Sequence, residues 1–279
     1  MKTVHIKGDI NLYSNNSLSI LITQDGLSYS IFDVNDNKYQ VLESIQFSNT
    51  DNRCQEIRDY LNNGNIINRE YKNFNVVYST KKTTLVPDVI FDEKSAETLF
   101  TTNHKLDCNE TVRYSKLPKS ESVVIYSVDK QVVSILDGLL PDYTLYPQTY
   151  SLIETYLTKT KIGEKPNRQR LIVQVFEDFF EILVINNCKI AGYNTYYYKT
   201  ANDILYFIVN TFEQLGLSQE DCEVVFSGFI DMDDMTSLYL KKFVKTVYFE
   251  SINRDCKYFF RFQEFAPHYF YNFLNINIQ

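Results

Sequence analysis

The sequence predicts a mixed α/β fold built twice over. Two segments, "LSILITQDGLSYSIFDV" (18–34) and "LIVQVFEDFFEILVI" (171–185), each read as two apolar strands joined by a tight turn. Each is followed by a third strand-like run, a helix, and then alternating strands and helices, so both halves follow the order βββ–α–β–α–β. Between them, "TKTKIGEKPNRQR" (158–170) is polar and basic and holds Gly163 and Pro166, the composition of a linker. The expected organisation is residues 1–160, with an insertion at about 83–120, then a linker at 161–170, then residues 171–279.

The first half opens with strands at 18–23, 27–34 and 39–47, joined by "QDG" and "NDNK". Gly26 is expected to supply a positive φ in the first turn. "SNTDNRCQEIRDYLNNG" reads as a helix capped by Thr50 or Asp51 and ended by Gly64. "FNVVYST" (74–80) and "TTLVPDVIF" (83–91) are extended, and "DEKSAETLFTTNH" (92–104) is a short helix with an acidic first turn. A polar stretch leads to "SVVIYSV" (122–128), an apolar run suited to the inside of a sheet. "DKQVVSILDGLLPD" is helical, burying Val132, Val133, Ile135 and Leu136; "YTLYP" reads as a strand and "TYSLIETYLTK" (149–159) as a helix.

The second half begins with strands at 171–176, 179–185 and 189–198. "TANDILYFIVNTFEQLGL" places Ile204, Leu205, Ile208, Phe212 and Leu215 on one helical face, with Thr200 or Asn202 as cap and Gly216 as stop. "CEVVFSGFI" (222–230) is a buried strand, "DMDDMTSLYLKKFV" a helix with acids first and lysines last, and "KTVYFE" (245–250) a strand. The tail "RFQEFAPHYFYNFLNINIQ" is aromatic and expected to be helical in its middle, starting at Pro267 with Tyr269 and Phe273 on one face. Such a helix either docks on the second half or binds a partner.

Composition narrows the function. Apolar residues at 44% and charged residues at 23% give a 279-residue chain a real core. A net charge of −7 argues against a nucleic-acid binder, whose phosphate contacts need clustered Lys and Arg. The tyrosine-rich "YNTYYYKT" (193–200) has one lysine and reads as sheet, not as a base-stacking platform. Cys54, Cys108, Cys188, Cys222 and Cys256 are scattered, as are His5, His104 and His268, so neither a disulfide framework nor a zinc site is expected. "MKTVHIKGDINLYSNN" lacks the apolar run of a signal peptide, and no stretch approaches the ~18 apolar residues of a membrane span. A soluble cytoplasmic protein is the expectation. No phosphate loop, nucleophile elbow or H-E-x-x-H is present. Asp231 and Asp233 in "VVFSGFIDMDDM" mimic the haloacid-dehalogenase signature, yet too little chain follows for that family's other elements.

The doubled order resembles the actin-like ATPase superfamily of sugar kinases, heat-shock chaperones, actin and pilus-assembly ATPases. More narrowly, "LSILITQDGLSYSIFD", "LIVQVFEDFFEILVI" and "EVVFSGFI" are similar to the DUF3822 family of uncharacterised Bacteroidetes proteins, and the resemblance spans nearly the whole chain. It implies a duplicated actin-like, ribonuclease H-like fold: two domains, each a mixed five-stranded sheet flanked by helices, around a cleft. In the superfamily that cleft takes ATP and Mg²⁺, with phosphates between the first hairpins of the two halves.

Carried over by position, the candidate nucleotide-binding residues are Asp25 and Gly26 in the first turn, Glu177 and Asp178 in the second, and Ser227 and Gly228 at a strand end. The superfamily's first turn keeps its acid separated from a glycine by one residue, and here the two are adjacent. The second turn, Phe176-Glu177-Asp178-Phe179, has no glycine and would set two carboxylates against a polyphosphate. One of the usual paired glycines remains at Gly228. No catalytic residue and no metal ligand is assigned. The expectation is a degenerate actin-like body acting as a non-catalytic scaffold or adaptor on a protein partner, with homo-oligomerisation open. The alternative is a divergent nucleotide binder or ATPase using the cleft.

Overall fold

Each hairpin seeds a sheet, and the two sheets share one strand order. The computed structural model describes residues 3–8, 15–48, 52–63, 66–67, 70–162 and 169–277. In the first half, β1 (Val4–Lys7), β2 (Asn16–Ile22), β3 (Gly26–Asp33) and β4 (Lys38–Gln46) precede α1 (Arg53–Asn63), which crosses to β5 (Asn73–Tyr78). Next come β6 (Thr83–Pro87), α2 (Ala96–Thr101), β7 (Glu110–Leu117) and β8 (Ser122–Asp129), then α3 (Lys130–Leu139), β9 (Thr144–Pro147) and α4 (Gln148–Ile162). The second half runs β10 (Arg170–Val175), β11 (Phe179–Asn186), β12 (Lys189–Tyr197), α5 (Ala201–Leu215), β13 (Glu223–Gly228), α6 (Met235–Leu240) and β14 (Thr246–Phe249). The chain closes with β15 (Lys257–Tyr258) and α7 (Tyr271–Leu274).

The five-stranded core β4-β3-β2-β5-β9 matches β12-β11-β10-β13-β14 strand for strand. In both, the first three strands are antiparallel and the last two join in parallel. The first sheet is widened by β1 and β15, which both pair with β4. Strands β6, β8 and β7 form a separate three-stranded sheet, to which β8, beyond the expected insertion at about 83–120, contributes the central strand. The strand β7 of this sheet lies in the stretch read from sequence as a polar connection, because its partly exposed residues lack an apolar rhythm. The caps expected at Thr50, Asp51 and Gly64, and most of the expected linker, lie outside the described residues. Around that linker, α4 runs through Ile162 and Arg170 already belongs to β10.

Alternation sorts the side chains into layers. On β2, Leu18, Ile20 and Ile22 face the buried sides of α1 and α3, while Leu21 faces the opposite way. On β10, Leu171, Val173 and Val175 face α5 and α6, while Ile172 faces α4. Both sheets thus turn their second faces toward a shared middle layer. α5 is fixed as expected: Thr200 and Asp203 form a capping box, and Gly216 ends the helix at φ 60. No described helix is long and apolar enough to cross a membrane.

The tail fills the middle layer. It is less helical than its spacing predicts: α7 is a single turn between short 3-10 turns. Pro267 and the following Phe270, at φ −112, keep the two turns from merging. Nor does the tail dock on the second half alone. Phe262, Phe270, Phe273 and Leu274 pack on Leu21, Phe32, Tyr39 and Val77 of the first sheet, while Tyr271 packs with Tyr156, Ile172 and Val225 of α4 and the second sheet. Phe270 is 1% exposed, so Phe270→Ala should destabilise the protein by about 3–5 kcal/mol, read as a lowered urea midpoint. Phe260→Ala, at a side chain 71% exposed, should change stability by less than about 0.5 kcal/mol.

Candidate functional site

The cleft between the halves is the place to look for a ligand, and side chains occupy it. Leu21 and Val77 of the first sheet, Gln174, Phe176, Gly228 and Phe229 of the second half, and Tyr269, Asn272 and Phe273 of the tail surround a cavity of ≈ 20 Å³. That is about the space of one water, against the 300 Å³ or more, roughly, of a small-molecule site.

The first turn closes on itself. Thr23 N donates to Gly26 O (3.0 Å), and Thr23 Oγ1 donates to Asp25 Oδ1 (2.8 Å). Asp25 O accepts from Phe47 N (2.8 Å), so both ends of this residue serve the hairpin. Gly26 starts β3 opposite Gln46, and the described glycines with positive φ are Gly216 and Gly228. The expected left-handed Gly26 is therefore not used: the turn is tightened by the Thr23 and Asp25 side chains instead.

The second turn is sealed by bulk and by an ion pair. Phe176 N donates to Phe179 O (2.9 Å), and the two rings stack at 4.6 Å with an interplanar angle of 6°. Tyr198 OH donates to Phe176 O (2.6 Å). Asp178 pairs with Lys81, which follows β5 in the first half, and the same ammonium sits 5.1 Å over the Tyr197 ring. A carboxylate among the candidate nucleotide-binding residues is thus matched by a lysine of the facing half. Glu177 is exposed on the turn.

Gly228 is required, but for a contact between strands. Its φ is +85, and a Cβ there would lie 2.1 Å from Val175 O. This close approach lets Phe229 N donate to Val175 O (2.8 Å) just past the paired ends of β10 and β13. Ser227 Oγ accepts from Asn272 Nδ2 (3.0 Å), which also donates to Gln174 Oε1 (2.7 Å). Of the six candidate residues, only Gly228 lines the remaining cavity.

A buried carboxylate that sequence reading missed lies beside this cleft. Glu181 Oε1 accepts from Thr149 Oγ1 (2.5 Å), Tyr193 OH (2.7 Å) and Gln148 Nε2 (3.1 Å). Among the described residues, Glu181 Oε2 has no hydrogen-bond partner. Gln148 also brackets Thr80, accepting from its N (3.0 Å) and donating to its O (2.8 Å). The network ties the end of β5, the start of α4 and the second hairpin together. Its signal was a lone glutamate inside the apolar run "FFEILVI". Burial pushes the Glu181 carboxyl up to about 7 and the Tyr193 hydroxyl well above its usual range.

Two predictions come from these contacts. Gly228→Ala should cost more than about 2 kcal/mol, because it adds both backbone strain and a clash with Val175; thermal unfolding checks this. Glu181 titrates near 4.5 when unfolded and near 7 when folded, so the folded chain holds the extra proton between those values. Its contribution is therefore full below pH 4.5 and is lost as pH rises through about 7. Glu181→Gln should flatten that decline and raise stability near pH 8 by on the order of 2 kcal/mol, measured by urea unfolding across pH.

Comparison with known proteins places this geometry. The sequence model of a family described as "Protein of unknown function (DUF3822)" matches residues 7–247. The chain is similar to a solved Bacteroides thetaiotaomicron protein described as having an actin-like ATPase fold and unknown function. The two are 26% identical with a TM-score of 0.80, over 87% of this chain and 94% of that one. It is also similar to a structure described as the PilM-PilN type IV pilus biogenesis complex, at 11% identity and a TM-score of 0.63, over 94% of this chain and 97% of that one. At that identity the likeness is one of fold. No curated protein matches the sequence.

Proposed function

The chain belongs to the DUF3822 family and has an actin-like ATPase fold, and on that basis we propose that it is a non-catalytic scaffold or adaptor acting through protein contacts. The filled cleft carries this reading. Where the fold offers a nucleotide a gap between two hairpins, this chain has a cavity of ≈ 20 Å³ and inserts its own tail. Three polar groups of the expected phosphate grip serve the protein itself: Asp25 the first turn, Asp178 the pair with Lys81, Ser227 the bond to Asn272. Opening the cleft would break the Asp178–Lys81 pair and the Ser227–Asn272 bond and expose Phe270, Phe273 and Leu274. Surface composition supports contact with another protein. Met232, Met235, Leu238, Tyr239 and Phe243 stand exposed on and beside α6, a concentration of apolar side chains that water alone does not favour. The similar pilus structure is itself a complex of two proteins, so the same fold occurs in an assembly.

Thermal unfolding with ATP, ADP or GTP and Mg²⁺ tests the reading. At millimolar concentration none should stabilise the protein beyond what pyrophosphate alone does. A ligand present at ~100 times its Kd would add about 2.7 kcal/mol, well within detection. A nucleotide-specific shift that disappears in Asp178→Asn would overturn the proposal in favour of a divergent nucleotide-binding cleft.

A further inference from the structure

A second concave surface lies on the other side of the first hairpin turn. This groove of ≈ 690 Å³ runs between the starts of α1 and α3, lined by Gln24 of the turn, Arg53 and Arg58 of α1, and Lys130 and Gln131 of α3. It sits beyond the carboxyl ends of the parallel pair β2 and β5, where open α/β sheets place their ligands. The tail that fills the cleft does not reach it.

Arg53 is the informative residue. Its guanidinium lies 5.3 Å over the Tyr78 ring, which holds its plane. Shielded from solvent, its Nε and Nη2 find no hydrogen-bond acceptor among the described residues. A desolvated charged donor pair with no acceptor is a standing cost, and such groups in native proteins commonly answer to an ion or ligand. Nε and one Nη of a guanidinium form a fork matched to two oxygens of one anion.

The surrounding charge has the right sign. Arg58 and Lys130 add two more cations, and Lys130 Nζ uses one of its three donors on Cys108 O (2.8 Å). The groove's acid, Asp129, is engaged: Oδ1 caps α3 by accepting from Gln131 N (2.7 Å), and Oδ2 accepts from Asn109 Nδ2 (3.4 Å). α1 and α3 also begin here, so the positive ends of two helices add to the field.

We propose that this groove binds a small phosphate-bearing anion, with Arg53 as the bidentate contact and Arg58 and Lys130 as flanking charges. Among the described residues of the groove, three cations against one engaged acid call for more than one negative charge, which a phosphate or diphosphate brings and a single carboxylate does not. The lining is mostly polar, so the remainder of the ligand is polar and small. This site is independent of the proposed scaffold role and of the closed cleft.

The test is calorimetric titration of the full chain with pyrophosphate and with inorganic phosphate, in the absence of nucleotide. Saturable binding at one site is expected, weakened at least about tenfold in Arg53→Gln and clearly weakened in the exposed-site variant Arg58→Gln. Affinity should fall with added salt, and Lys242→Gln, away from the groove, should bind as the parent chain does. Unchanged circular dichroism in Arg58→Gln secures the comparison if Arg53→Gln folds poorly. No heat at millimolar pyrophosphate, or equal affinity in the parent, Arg53→Gln and Arg58→Gln chains, would overturn the site. Any binding of ATP through this groove would be lost in Arg53→Gln and kept in Asp178→Asn, which separates it from a nucleotide cleft.

Discussion

The insertion of residues 262–277 between the two sheets is the contact on which the rest of this molecule depends. It is bonded to both sides. Asn277 Oδ1 accepts from Ser19 Oγ (3.2 Å) and Asn75 Nδ2 (3.1 Å) of the first sheet, and Tyr39 OH donates to Leu274 O. Asn272 donates to Gln174 and Ser227 of the second, and His268 Nε2 is 2.7 Å from Ile230 O. The polar positions in the middle layer, Ser19 on β2 and Gln174 on β10, would be unpaired and costly to bury without these asparagines. Apolar contact supplies the energy, and the asparagines set the register in which it can form.

Given a filled cleft, the chemistry of the turns follows. A nucleotide-binding hairpin keeps backbone N–H groups free for phosphate. Here Thr23 N and Phe176 N each close their hairpin, and the second adds stacked phenylalanines where glycine would leave room. The glycine that persists, Gly228, is needed because two strands approach too closely for a Cβ. Lys81 and Asp178 then join the halves across the rim. That pair is partly exposed and worth about 0–1 kcal/mol, so it orients the closed form more than it holds it shut.

Much of this was legible in the sequence, and the reason is periodicity. The hairpins, the order of both halves and α5 with its caps announce themselves through alternation, turn residues and capping chemistry. The misfit of "VFEDFF" with a phosphate was legible for the same reason, since bulk and charge stand where glycine is needed. What escaped is long-range. β7 and β15 are held by partners, not by their own pattern. Lys81 meets Asp178 across the cleft, and the Glu181 network gathers residues from the segment after β5, from α4, β11 and β12. The tail's aromatics signalled a helix because they recur at helical spacing, yet they are spaced by the needs of two facing sheets. Arg53 reads as an ordinary surface residue until Tyr78 is seen beneath it.

Native-state hydrogen exchange tests the central claim most directly. The tail amide of Leu274, bonded to Phe270 O, and the amide of Phe229, bonded to Val175 O, report on the closed cleft. If the tail is part of the core, both should open only with the strands of β2 and β10, within about 1 kcal/mol of global unfolding. If instead the tail amides open several kcal/mol below those strands, the cleft empties in the native state and the account of a permanently filled actin-like body fails.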